Sequence, residues 1–308
     1  MLRLLAALGT GFDCASNGEI NTVLGLGVAP ERIIFANPCK ATSFIRSAAK
    51  ARVDMMTFDN TDELYKIART HPHAKLVVRI LTDDSKSLCR LGLKFGAPLV
   101  TVPALLAKAR ELKLDVIGVS FHVGSGCYDA GAFADAVARA RVAFDMGREA
   151  GYEFSLLDVG GGFEDATFET TAAVLTDAID RHFPVRDRIR VIAEPGRYYV
   201  SKAFSLAANI IARRAPPTPA PASASALEQA SSSPAGASAS TPDAETVVVT
   251  AAGADAAVVE PEQPSVMCEC LPFHPCFILA ASSATLAFLS AFPRPVTHVV
   301  VESSEHGC

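Results

Sequence analysis

The chain has 308 residues, half of them hydrophobic, enough for one large domain or two ordinary ones with a sizeable core. Its 28 Lys and Arg against 33 Asp and Glu give a formal charge of −5, which argues against a nucleic-acid partner or a polybasic membrane-binding surface. Of the 8 cysteines, Cys14, Cys39, Cys89 and Cys127 are scattered as in a reduced cytoplasmic protein, and Cys268, Cys270, Cys276 and Cys308 crowd the C-terminal end.

The N-terminal stretch MLRLLAALGTGFDC has one arginine and a short apolar run that leads straight into strand-like sequence, so no signal peptide is expected. From there to about residue 214, strand patterns at 11–15, 32–38, 55–59, 75–81, 116–124, 154–162 and 190–196 alternate with amphipathic helical patterns such as 61–71, 103–113 and 132–151. Continuous apolar strands separated by helices predict a parallel sheet covered on its faces. Polar or glycine-rich residues recur just after the strands, at Asp13, Asn37, Asp59, Arg79, His122, Gly160 to Gly162 and Glu194. That bias predicts an α/β barrel with its site at the C-terminal strand ends. Only seven strands are visible. An open doubly wound sheet also accommodates seven, whereas a (β/α)8 barrel would lack its first βα unit.

Residues 215–245 are Ala/Ser/Pro-rich and are expected to form a disordered linker, because they bury too little surface to offset ordering entropy. Residues 246–308 read as an irregular tail with room for one strand near 246–259. The 17-residue apolar run 276–292 is at the lower edge of bilayer-spanning length, and its weak Ala/Ser hydrophobicity and neighbouring prolines argue against a span. Cys268, Cys270, Cys276 and His274 are poorly spaced for a metal, and none is expected.

The chemistry concentrates in three motifs. DVGGGF (158–163) places three glycines after a strand, where their N–H groups can converge on an anion, although a tight strand-to-helix turn would use the same residues. AEPGR (193–197) ends a strand on Glu194, Gly196 and Arg197, and the Arg197 fork suits phosphate oxygens. A strand-end carboxylate can be the structural partner of a buried arginine, or it can hold the protonated ring nitrogen of pyridoxal phosphate. FHVGSG (121–126) adds His122, which could stack on a flat ring, and Ser125, a phosphate donor.

Together FDCAS, ANPCK, DDSKSLCRLGLKFGA, VSFHVGSGC, LLDVGGGF and AEPGRYYV, in this order over residues 1 to about 214, resemble the eukaryotic-type ornithine decarboxylases. These are fold-type III pyridoxal-phosphate enzymes related to alanine racemase and diaminopimelate decarboxylase. The resemblance implies that residues 1–214 form an incomplete barrel binding pyridoxal 5'-phosphate. Glu194 would pair with the pyridine nitrogen and His122 would stack on the ring. Gly160, Gly161, Gly162, Gly196, Arg197 and Ser125 would hold the phosphate. Asp13, Arg79 and Glu19 match polar positions around the cofactor and its lysine, while SNGE (16–19) is also a capping box for the next helix. Lys94 matches a dimer-interface lysine, or is simply a surface lysine.

The family's Schiff-base lysine lies in a YAVKCN-like strand one βα unit ahead of FDCAS. Lys40, Lys50 and Lys94 belong to other motifs, so no lysine is assigned that role and the cofactor would bind non-covalently at best. The family's later β-rich domain carries a VMYYxNDGVYG-like stretch, and this chain agrees only at Val266–Met267 before diverging, as an altered reading frame or retained intron would produce. The implied activity is decarboxylation of L-ornithine to putrescine in polyamine biosynthesis, in the cytoplasm, by a homodimer. This chain as given is expected to turn over little or nothing. The alternatives are an antizyme-inhibitor-like binding protein, since residues 42–65 align with the antizyme-binding region; a nonfunctional truncated product; or another enzyme of the fold acting on lysine or diaminopimelate.

Overall fold

The computed structural model describes residues 1–184 and 188–202, and beyond them the backbone of strands at 206–207, 209–213, 248–249, 266–269 and 298–302. Contacts divide the chain into two units, residues 1–200 with 277–308, and residues 201–276. In the second unit, the described strands pair antiparallel, 206–207 with 248–249 and 209–213 with 266–269. The expected linker at 215–245 and the apolar run at 276–292 lie outside the described residues.

The first unit is an α/β barrel, as the strand–helix alternation predicted. After a short helix α1 (Leu2–Ala7), the strands are β1 (Gly11–Cys14), β2 (Ile33–Phe35), β3 (Met55–Phe58), β4 (Lys75–Arg79), β5 (Asp115–Ser120), β6 (Leu156–Asp158) and β7 (Arg190–Ala193). Between them run α2 (Asn17–Gly25), α3 (Thr42–Lys50), α4 (Thr61–Thr70), α5 (Val102–Glu111), α6 (Ala130–Glu149) and α7 (Phe168–His182), and α8 (Gly196–Val200) follows β7. Every neighbouring pair in the barrel is parallel. Helix starts follow side-chain chemistry: Ser16, Asn60 and Asp129 accept main-chain N–H groups at the first turns of α2, α4 and α6.

The barrel closes with eight strands. The eighth place is filled not by a strand ahead of Gly11 but by β8 (His298–Glu302), which lies between β1 and β7. Gly11, Phe12 and Asp13 pair with Val300, Val301 and Glu302, while His298 and Val299 pair with Ile192 and Ala193. The β-branched HVVVE run, grouped with the irregular tail in the sequence, is thus a parallel barrel strand.

Strand alternation separates two apolar layers. Ile34, Val77, Leu156 and Ile192 form a separate cluster, whereas their neighbours Ile33, Phe35, Leu76, Val78, Leu157 and Ala193 join the cluster that includes the helices. Alternate residues therefore fill the barrel and its jacket. Among the described residues no helix is long and apolar enough to cross a membrane. Cys14, Cys39 and Cys127 are free thiols, but Cys89 is disulfide-bonded, which corrects the all-reduced reading of the first four cysteines.

Candidate cofactor site at the C-terminal strand ends

Because the strands are parallel, everything just past their C-terminal ends faces one mouth. The glycine run after β6 is wedged between the segments following β5 and β7. A Cβ on Gly160 would collide with the Phe121 carbonyl oxygen. One on Gly161 would lie 2.7 Å from both the Glu194 carbonyl oxygen and His122 Nε2, and one on Gly162 would lie 2.6 Å from the Gly124 carbonyl oxygen. Gly160 and Gly162 also adopt φ of +61° and +107°, which side chains disfavour. Main-chain bonds lock the run on both sides: Glu194 N–H donates to Gly160 O (2.8 Å) and Cys127 N–H to Gly162 O (3.1 Å). The turn that the sequence offered as the plain reading is also a close three-way packing of site segments.

On one flank, Arg197 Nε donates to Ser125 Oγ at 3.0 Å, joining the segment after β5 to the first turn of α8. Gly196, which opens α8, is buried beside it. Glu164 was missed by sequence reasoning. Its Oε1 lies 3.3 Å from Arg197 Nε, and burial pushes its carboxyl above the usual range while the guanidinium opposes the rise. Nothing in FED (163–165) marks this carboxylate, which reaches Arg197 only through the path of the loop.

Deeper, Glu194 is buried next to Asp158, which has no exposed surface. Asp158 Oδ1 accepts the Gly160 N–H at 2.9 Å, and the two carboxyl groups are in hydrogen-bond contact. Burial pushes Asp158 up to about 6, against the Gly160 N–H, the Glu194 contact and the positive charges of Arg79 and Arg190. Asp158 entered the sequence reading only as the first letter of a glycine motif.

His122 is buried, and its Nδ1 accepts the Gly124 N–H at 3.0 Å. The neutral ring therefore carries its proton on Nε2, the atom that abuts Gly161. Asp13 is buried in β1. Arg79 ends β4 with its guanidinium 5.3 Å from the centre of the Phe95 ring. The Glu19 carboxylate accepts the N–H groups of Ala15 (2.5 Å) and Ser16 (3.0 Å), and the Ser16 side chain caps Glu19 N–H in return, so the capping box is formed.

Two lysines sit differently. Lys94 is exposed in the loop after β4. Lys40, the one buried lysine among the described residues, is 2.9 Å from Glu63 and donates to the carbonyl oxygens of Asn37 (2.9 Å) and Thr57 (2.6 Å). Burial pulls its pKa down and Glu63 counters this. No cluster of metal-ligating side chains occurs among the described residues, and the side chains of Cys268, Cys270, Cys276 and His274 lie outside them.

The geometry suits a flat ring that bears an anionic group and a basic nitrogen. It offers a side-chain-free cradle, a hydroxyl–guanidinium pair at its edge and a buried acid below. Residues 1–201 match the family model of the pyridoxal-dependent decarboxylases, pyridoxal binding domain. The chain is 60% identical over 219 residues to an ornithine decarboxylase of Rattus norvegicus, covering 70% of this chain and 48% of the relative. It is 56% identical over 219 residues to an antizyme inhibitor 2 of Xenopus laevis, with the same coverage. The arginine decarboxylase of Paramecium bursaria Chlorella virus, in its agmatine-bound structure, superposes with a TM-score of 0.65 at 38% identity, covering 70% of this chain and 59% of that one. The chain spans about half the length of the curated relatives it matches.

Proposed function

The chain belongs to the pyridoxal-dependent decarboxylases, and on that premise we propose that the mouth of its barrel holds pyridoxal 5'-phosphate and serves the decarboxylation of L-ornithine to putrescine. The residues fit the cofactor: Gly160 to Gly162 form a cradle that any Cβ would fill, and Arg197 with Ser125 supplies charged and neutral donors suited to a phosphate. The site arrangement carries this reading. The 60% identity to an ornithine decarboxylase, against 38% to the arginine decarboxylase, favours ornithine as the substrate.

Each group has a role in it. Ser125, Arg197, Gly196 and the glycine N–H groups bind the phosphate. Glu194 would hold the ring nitrogen and favour its protonated form. His122, oriented by Gly124 and Gly161, would lie along the ring, Asp13 and Arg79 would line the wall, and Glu19 fixes the start of α2. When bound, the pyridoxal ring supplies an electron sink for the pair released as carbon dioxide departs. Lys40 is held by Glu63 and by two carbonyls, so residues 1–202 hold the cofactor non-covalently in this reading. A homodimer is supported by the exposed apolar side chains Leu88, Leu93 and Val100 flanking Lys94.

The test is a titration of the chain with pyridoxal 5'-phosphate, followed by release of carbon dioxide from carboxyl-labelled ornithine, arginine and lysine. Saturable binding is expected, with any turnover confined to ornithine. Absence of binding, or turnover of arginine or lysine instead, would overturn the reading.

A second reading rests on the 56% identity to an antizyme inhibitor and on two exposed aromatic residues, Phe44 of α3 and Tyr65 of α4, within or at the edge of residues 42–65. It makes the chain a non-catalytic antizyme binder. Antizyme capture without cofactor, abolished by Phe44→Ala with Tyr65→Ala, would favour it.

A further inference from the structure

Beneath the cradle lies a pair of acids that cofactor binding by Glu194 alone does not require. Asp158 closes β6 in register with Ile192 of β7, and Glu194 follows two residues later, so both carboxyl groups project toward the barrel interior above the Leu156–Ile192 layer. The Gly160 peptide ties them together, its N–H donating to Asp158 and its carbonyl accepting from the Glu194 N–H. Asp158 Oδ1 takes that N–H, but no protein N–H reaches the fully buried Oδ2, which leaves the Glu194 carboxyl as the hydrogen-bond contact. Two carboxylates in such contact cannot both ionise in a dry setting, and an O–H between them is what satisfies the oxygen without a donor. The nearby charges are those of Arg79 and Arg190, and His122 stands across Gly161 from Glu194. With two cations present, the pair is suited to hold one proton, neither two nor none.

We propose that Asp158 and Glu194 share one proton in the cofactor-free chain at mildly acidic pH, and that cofactor binding settles it on Asp158 so that an ionised Glu194 faces the ring nitrogen, Asp158 acting as the positioning residue that stores it. The settling rests on the reading of the site as a pyridoxal-phosphate site; the shared proton does not. The ring nitrogen of the free cofactor already carries its proton at this pH, so no N–H bond has to form, and the pair keeps one proton and one negative charge throughout. That negative charge meets the protonated ring nitrogen, with Arg79 and Arg190 nearby.

The experiment is infrared difference spectroscopy of the full chain at pH 5, following the C=O stretch of a protonated buried carboxyl group. Pyridoxal 5'-phosphate and its deaza analogue, with C–H in place of the ring nitrogen, are the probes, and binding of each is read from absorbance in the same sample. The band is expected in the free chain, moves in frequency without being lost when pyridoxal 5'-phosphate binds, and stays in place when the deaza analogue binds. Asp158→Asn and, separately, Glu194→Gln should each remove it, with circular dichroism checking the fold; if a variant unfolds, the wild-type pattern with the two probes decides. Absence of the band from the free chain overturns the shared proton. Loss of the band on binding of pyridoxal 5'-phosphate, or a band that does not move, overturns the settling on Asp158 alone, and failure to bind overturns the reading of the site and the settling with it.

Discussion

Arg197 and Ser125, 72 residues apart in sequence, meet at 3.0 Å and hold the two ends of the cradle together. The contact exists because β5 and β7 both flank β6, so the segments that follow them converge over its glycines. It places a guanidinium, about a third exposed, where an anion can reach it.

Removing that guanidinium should weaken phosphate capture far more than it weakens the fold. Arg197→Ala is expected to lower affinity for pyridoxal 5'-phosphate by about 10- to 100-fold, the worth of one charge-assisted hydrogen bond. Ser125→Ala should cost about tenfold or less, the worth of a neutral one. Fluorescence titration checks both, and equal losses for the two would speak against the assignment.

Glu164 lies 3.3 Å from Arg197 Nε and would compete with a bound phosphate for it. Its carboxyl is held above the usual range by burial, so more of it is neutral on mild acidification than for an ordinary glutamate. Glu164→Gln should tighten binding of pyridoxal 5'-phosphate and flatten its dependence on pH between neutrality and mild acid. Affinity measured at several pH values in both proteins provides the check, and weaker binding by the variant would reverse the role given to this residue.

Gly161→Ala would place a methyl group 2.7 Å from His122 Nε2 and from the Glu194 carbonyl oxygen, and backbone on one side cannot yield cheaply. A loss of about 1–3 kcal/mol is expected from the overpacking. The midpoint of urea unfolding should fall, with loss of cofactor binding. An unchanged midpoint would mean that the cradle is looser than the packing implies.

Asp158 carries a pKa raised from 3.8 to about 6. An acid whose folded pKa lies above its unfolded value binds more protons when folded between the two, so its contribution is fully present below about pH 4 and is lost as pH rises through 6. The stability of the chain minus that of Asp158→Asn should therefore fall across that window and be flat above it. Denaturant titrations from pH 4 to 7 test the sign; a difference that rises with pH would refute the burial account of this residue.

Much of this was legible in the sequence. Apolar runs interrupted by helical patterns marked β1 to β7, and the polar bias after them located the mouth, because parallel strands concentrate chemistry at one end. Gly160 to Gly162, Glu194, Arg197, Ser125 and His122 converge as their motifs suggested. What stayed hidden depends on contacts between distant segments. His298–Glu302 joins the barrel through its pairing with β1 and β7, which no helical neighbour in the sequence announces. Asp158 meets Glu194 through the register of β6 against β7, and Glu164 finds Arg197 through a loop path. Lys40 is buried because Glu63 of α4 lies within 2.9 Å, a pairing that composition does not show.

The most direct test is a crystal structure of the chain grown with pyridoxal 5'-phosphate. The account predicts the phosphate against Ser125, Arg197 and the Gly160 to Gly162 run, with the ring nitrogen at Glu194 and the Asp158 carboxyl behind it. Cofactor found only on surface lysines, or a mouth that stays empty at saturating concentration, would contradict it.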